Sequence, residues 1–132
     1  MRLDNLANYS KPLLRISISF LFLWFGTTQL INPGAWISFI PKFVLSFGFH
    51  ENYLVIFNGL FELIFGALLL IGLYTRLSSG LLALHLFGIA LSIGYNPLGI
   101  RDFTLALATL TVFFAGSDKY TSDYKWKAKQ QQ

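Results

Sequence analysis

Seven side chains in this otherwise apolar chain have chemistry to offer: Gln29, Asn58, Glu62, His85, Asn96, Arg101 and Asp102. Glu62 leads, because it lies inside the run from Asn58 to Arg76, which is greasy enough to cross a bilayer. A charge in that position costs several kcal/mol unless it is paired or neutralised, so the remaining chain must supply a dry partner or a wet cavity. Three chemistries follow. Glu62 could pair with Arg101 or His85 and stitch helices together. It could instead be an ionisable group on a substrate or proton path, or a protonated carboxyl bonded to a neighbouring helix. Glu62 and Asp102 could form an acid/base pair, but they fall on different helices at different depths. Asp102, beside Arg101 at a helix start, reads as a cap near the positive helix end. His85 reads as a packed, hydrogen-bonded histidine, since no second histidine or cysteine stands at ligand spacing. A zinc site needs several ligands and a haem an axial one, so no metal site is expected. Serine elbows, phosphate loops and dinucleotide fingerprints are missing too, and no catalytic residue is assigned.

The elements that must hold these residues follow from composition. Of 132 residues, 55% are hydrophobic, 12% are charged and 14 are phenylalanine, too apolar for a water-soluble domain of this size. The net charge of +4 could suggest nucleic acid, but Lys119, Lys125, Lys127 and Lys129 crowd one tail. Beside a membrane end such a cluster anchors at anionic headgroups instead, so no nucleic-acid partner is expected. Without cysteine there is no disulfide framework and no thiolate site. The first apolar run lacks an evident small-residue cleavage site and reads as a retained span.

Taken in order, residues 1–12 form a polar segment ending at Pro12, either a short interfacial helix or disordered. The first span runs from Leu13 to about Asn32, with Arg15, Ser19, Phe22, Gly26 and Gln29 on one face. Asn32-Pro33-Gly34 ends it. Residues 35–52 are aromatic and broken by Pro41 and Gly48, an interfacial loop or, functionally, a lid. The second span runs from about Tyr53 to Tyr74. Its face of Val55, Asn58, Gly59, Glu62, Gly66, Leu69 and Leu73 is small and polar, backed by Phe57, Phe61, Ile64, Leu68 and Ile71. A very short connection at Thr75–Arg76 returns the third span, about Leu77 to Tyr95, antiparallel beside it. On that helix Ser78, Leu81, His85, Gly88, Ser92 and Asn96 share a face. The fourth span runs from about Ile100 to Gly116, with Asp102, Ala106, Thr109, Phe113 and Gly116 aligned. The basic tail, 117–132, is polar and expected to fray at Gln130–Gln132.

The expected fold is therefore an all-α membrane protein: residues 1–132 as one antiparallel bundle of four transmembrane helices, with an aromatic interfacial loop between the first two. Folding about Thr75–Arg76 places Glu62 level with Ile89 or Ala90, between His85 and Ser92. The other polar groups then lie in the outer third, and a pocket would open outward with Glu62 at its floor. Arg2, Lys11, Arg15, Arg76, Lys119, Lys125, Lys127 and Lys129 share the side of the termini, against Lys42 and Arg101 opposite. That bias predicts both termini in the cytoplasm.

Gly59, Glu62 and Gly66, followed by Gly72, Thr75 and Arg76, resemble the G-x-x-E-x-x-x-G…G-x-x-T-R signature of the DoxX/DoxD-like membrane protein family. The opening Leu14-Arg15 through Phe22, Gly26 and Pro33 is similar to the family's first helix. Arg101-Asp102-Phe103 through Asp123 is similar to its fourth, although Ser117-Asp118 and Thr121-Ser122 replace the usual ending. The resemblance implies four transmembrane helices in a prokaryotic cell membrane, with Glu62, Arg101 and Asp102 as the positions to test. It further implies an accessory, non-catalytic subunit of an oxidoreductase, in a quinone-linked or thiol/oxidative-stress complex with a partner protein. A quinone is the expected ligand and no cofactor is held covalently. The polar interior leaves two alternatives open. One is a small proton-coupled transporter or channel, enclosed by homo-oligomerisation. The other is a membrane chaperone or assembly factor gripping client helices.

Overall fold

The computed structural model describes residues 4–131. In chain order they form α1 (Asp4–Ile31), a 3-10 helix (Pro33–Phe39), α2 (Lys42–Leu45), α3 (Glu51–Ile71), α4 (Thr75–Ile93), α5 (Pro97–Ala115) and α6 (Ser122–Gln130). Four of them, α1, α3, α4 and α5, are long and apolar enough to cross a bilayer. Only 28–33% of the most apolar window in each is buried inside the protein. Each helix therefore hides one narrow stripe, and the rest of its apolar surface meets lipid.

Helix α1 starts before Leu13 and runs unbroken through Pro12, so the expected boundary there disappears. Proline removes a single helical hydrogen bond, and the helix continues from Asp4 before it to Ile31 after it. Arg2, counted in the charge bias, and Gln132 lie outside the described residues. The tail also differs from expectation: Gln130 belongs to α6 rather than to a frayed end.

Packing is closest within two pairs, α1 on α3 and α4 on α5, while α3 meets α4 and α1 meets α5 more loosely. Small residues explain the first pair. A methyl group on Gly26 would come within 2.7 Å of the Gly59 carbonyl oxygen, so the two backbones touch there. In the second pair Ser79, Ala83 and Ala90 of α4 and Gly99, Ala106 and Thr109 of α5 are all buried. Larger side chains hold the pairs together: Ile18, Phe22, Leu69, Leu82, Leu86 and Val112 form one cluster with Ala106. The stripes expected on α1, α3 and α5 are the buried ones, apart from half-exposed Asn58, Leu73 and Phe113. On α4 the expected face is not. Of that face only Ser78 is buried and Gly88 and Ser92 are exposed; the helix otherwise buries Thr75, Ser79, Leu82, Ala83, Leu86 and Ala90. Close approach to α5 selects the serine and alanine edge of α4.

The α3–α4 turn occupies Gly72 to Tyr74, not Thr75–Arg76. Gly72 ends α3 in the left-handed region (φ 76°), and a side chain on it would collide with Thr121. Tyr74 (φ 51°) also adopts that region, which disfavours side chains. Its cost is offset from the tail. Asp123 accepts hydrogen bonds from the Tyr74 N–H (2.8 Å), the Thr75 N–H (2.7 Å) and the Thr75 hydroxyl (2.8 Å). A carboxylate 48 residues downstream thus caps α4, which lacks a side-chain cap of its own.

Burial pushes the Asp123 carboxyl up, but the Thr75 N–H and hydroxyl, the Tyr74 N–H and the Lys127 charge together hold it below its ordinary 3.8. A lowered carboxyl stabilises the fold above its unfolded value and loses that contribution as pH falls through the folded one. Asp123→Ala should therefore destabilise the detergent-solubilised protein by about 0.5–2 kcal/mol at neutral pH. Thermal melts should show the gap between variant and wild type closing only below the ordinary carboxyl range.

Candidate functional site

Glu62 sits on the eleventh helical step of α3, about 16 Å from the helix start and close to mid-span. It is 3% exposed. Asn58, one turn earlier, shares its face and donates to Oε1 (3.3 Å). Gln29 of α1 donates to Oε2 (2.8 Å) while its own carbonyl oxygen accepts from Asn58 Nδ2 (2.7 Å). From α4, His85 Nε2 lies 3.2 Å from Oε1. Three helices therefore converge on one carboxyl group. The glycine contact makes this possible: Gln29 Cβ lies only 3.0 Å from where a Gly59 side chain would begin.

Magnitudes decide how the acid survives there. A charged residue at mid-helix costs about 2.5–3.5 kcal/mol to insert. Three bonds at the membrane average of about 0.6 kcal/mol recover roughly half of that. Charge-assisted bonds of about 1.5–3 kcal/mol each exceed it. The cluster satisfies Glu62 from protein groups alone.

His85 pairs with Glu62 because the α3–α4 turn is centred two to three residues earlier than expected. That shift moves the level of Glu62 from Ile89–Ala90 down to His85. Ser92, expected on the outer side of Glu62, instead bonds the Gly88 carbonyl on an exposed face. The His85 side chain is 21% exposed, and its ring stands 4.8 Å from that of Phe61, which in turn lies 4.7 Å from Phe65. Its Nδ1 has no hydrogen-bond partner among the described residues. A carboxyl–imidazole couple with one free ring nitrogen can share a proton and present a hydrogen bond at a partly open aromatic edge.

The other sequence candidates are elsewhere. Arg101 pairs with its neighbour Asp102 (Nη2 to Oδ1, 2.8 Å), so it does not compensate Glu62. Asp102 is buried and lies past the first turn of α5. The cap is Asn96, whose side-chain oxygen accepts from the N–H groups of Leu98 and Gly99 (both 3.0 Å). The reason is positional: α5 begins at Pro97, three residues earlier than expected, leaving Asp102 too far in to cap. Neither a cleft of about 590 Å³ at the termini end nor one of about 350 Å³ near Gly94 and Tyr95 is lined by Glu62.

The partner of the arginine on the buried stripe of α1 is not legible in the sequence. Arg15 is 2% exposed and Asp118 7%, and Arg15 Nε donates to Asp118 Oδ2 at 2.8 Å. Arg15 Nη1 also donates to the carbonyls of Leu69 (2.8 Å) and Leu70 (2.6 Å), the loose end of α3. The signal was a single arginine inside the first span and acids in a tail otherwise full of lysine.

A family model described as DoxX matches residues 11–94. The match takes in Arg15, Gln29, Asn58, Glu62 and His85, and stops short of α5 and the tail. No curated protein and no solved structure matches the chain.

Proposed function

The chain belongs to the DoxX family and is an integral membrane protein, and from that premise we propose an accessory, non-catalytic subunit of a quinone-linked or thiol/oxidative-stress redox complex. Gln29, Asn58, Glu62 and His85 form its ligand-facing polar group. The observation that carries this reading is the buried carboxyl held against a histidine whose other ring nitrogen is uncommitted. Those residues fit a quinone headgroup. The imidazole offers a hydrogen bond to a carbonyl oxygen, Phe61 and Phe65 offer an apolar wall, and all three side chains are partly exposed. A bound quinone would supply the two-electron chemistry. The protein's part is to orient the ring through His85 and hold a proton between His85 and Glu62, with Gln29 and Asn58 fixing the carboxyl. The partner protein would carry the electrons onward. Lysine and arginine on the side of the termini support a cytoplasmic placement for both ends.

Purification of the full chain in mild detergent tests this reading. Quinone and a redox partner should co-purify, and Glu62→Gln or His85→Ala should reduce retained quinone about tenfold, the loss of one well-aligned bond to a charged group. Proton flux in liposomes abolished by Glu62→Gln, with no quinone retained, would assign the site to transport instead.

A further inference from the structure

We propose that the cleft between α6 and the adjoining ends of α4 and α5 binds the phosphate headgroup of an anionic lipid, with Arg76 and Lys127 as its cationic contacts. The cleft, of about 590 Å³, is within the size range of small-molecule sites. Its lining joins Arg76 and Lys127 to Ser117, Gln130, Tyr74 and Trp126. Arg15 and Arg101 are both held by acids, but Arg76 is exposed and in no ion pair among the described residues. Its guanidinium lies across Gly116, where an added side chain would come within 3.0 Å of Nε. The glycine keeps the cationic head at the cleft wall.

Among the described residues, Asp123 is the one acid lining the cleft. Its oxygens are taken by the N–H groups of Tyr74 and Thr75 and by the Thr75 hydroxyl, which also closes the start of α4 to any anion. Lys127 stands one turn beyond Asp123 on α6 and feels its charge, so Arg76 carries the larger share of the contact. The rim argues for a lipid rather than a soluble anion. Leu77, Tyr74 and Trp126 are all exposed there, and Leu77 lies in the first turn of the α4 span, giving acyl chains an apolar path away from the headgroup. Tyrosine, tryptophan and lysine are the side chains that favour this depth.

Native mass spectrometry of the full chain in mild detergent, titrated with phosphatidylglycerol or phosphatidylcholine, tests the site. One phosphatidylglycerol should be retained in preference to phosphatidylcholine. Arg76→Gln should weaken retention about fivefold, Lys127→Gln about threefold, and the double variant about 15-fold. Lys125→Gln and Lys129→Gln, on α6 outside the cleft, should change it less than about twofold, the mark of a local contact and not of bulk charge. Excess inorganic phosphate should leave the lipid bound. Should Arg76→Gln fold poorly, Lys127→Gln on the exposed α6 and Arg76→Lys carry the comparison. Equal retention of the two lipids, equal losses from Lys125→Gln or Lys129→Gln, or displacement by phosphate would each overturn the proposal.

Discussion

Asp118→Asn is expected to destabilise the protein by about 3–5 kcal/mol, because it leaves the Arg15 guanidinium buried without its counter-charge. Arg15 cannot swing out to solvent cheaply: it is 2% exposed and also bonds two carbonyls at the end of α3. The same substitution loosens the tail that places Thr121 beside Gly72 and Asp123 over the start of α4. Thermal or denaturant unfolding in detergent reads the loss directly. A paired Arg15→Gln/Asp118→Asn variant should cost less than the two single changes summed, since the unpaired charge is then gone. Equal and additive losses would mean that the two residues stabilise the fold independently.

Gly26→Val should be among the most damaging small changes within the spans, at about 3 kcal/mol or more. Overpacking costs about 1–3 kcal/mol where neighbours can shift. At Gly26 the neighbours are the Gly59 carbonyl oxygen at 2.7 Å and the Leu63 backbone nitrogen at 2.9 Å, and backbone yields only if α1 and α3 part. Gln29 follows Gly26 on the same face of α1, so that separation would also pull its amide from Glu62. The variant should therefore lose both stability and quinone retention, whereas Gln29→Leu should lose retention with the α1–α3 packing intact. Melting temperature and retained quinone, measured on the same preparations, separate the two effects.

Much of the architecture is local information. Arg15, Ser19, Phe22, Gly26 and Gln29 recur at helical spacing, as do Val55, Gly59, Glu62, Gly66 and Leu69, and lipid on the far side leaves such stripes only one place to go. Helix α4 is the exception. Serine, glycine and histidine lie on several of its sides, so its small residues did not define a single stripe, and contact with α5 chose among them. The sequence leaves the pairing of Glu62 with His85 open for a related reason. Displacing one turn by two to three residues moves the facing level on the next helix by about twice as many.

The amino-acid sequence by itself determined that this protein crosses a membrane on four helices and that Glu62 must face inward, because burying or wetting a carboxyl is the only alternative to a costly exposure to lipid. Tertiary structure alone decided which groups meet. Arg15 finds Asp118 across 103 residues of chain, Asp123 caps a helix that begins 48 residues before it, and Gln29 reaches Glu62 only because two glycines let their backbones touch. Periodicity is fixed by neighbours along the chain, whereas partners are fixed by turn register and close packing between helices.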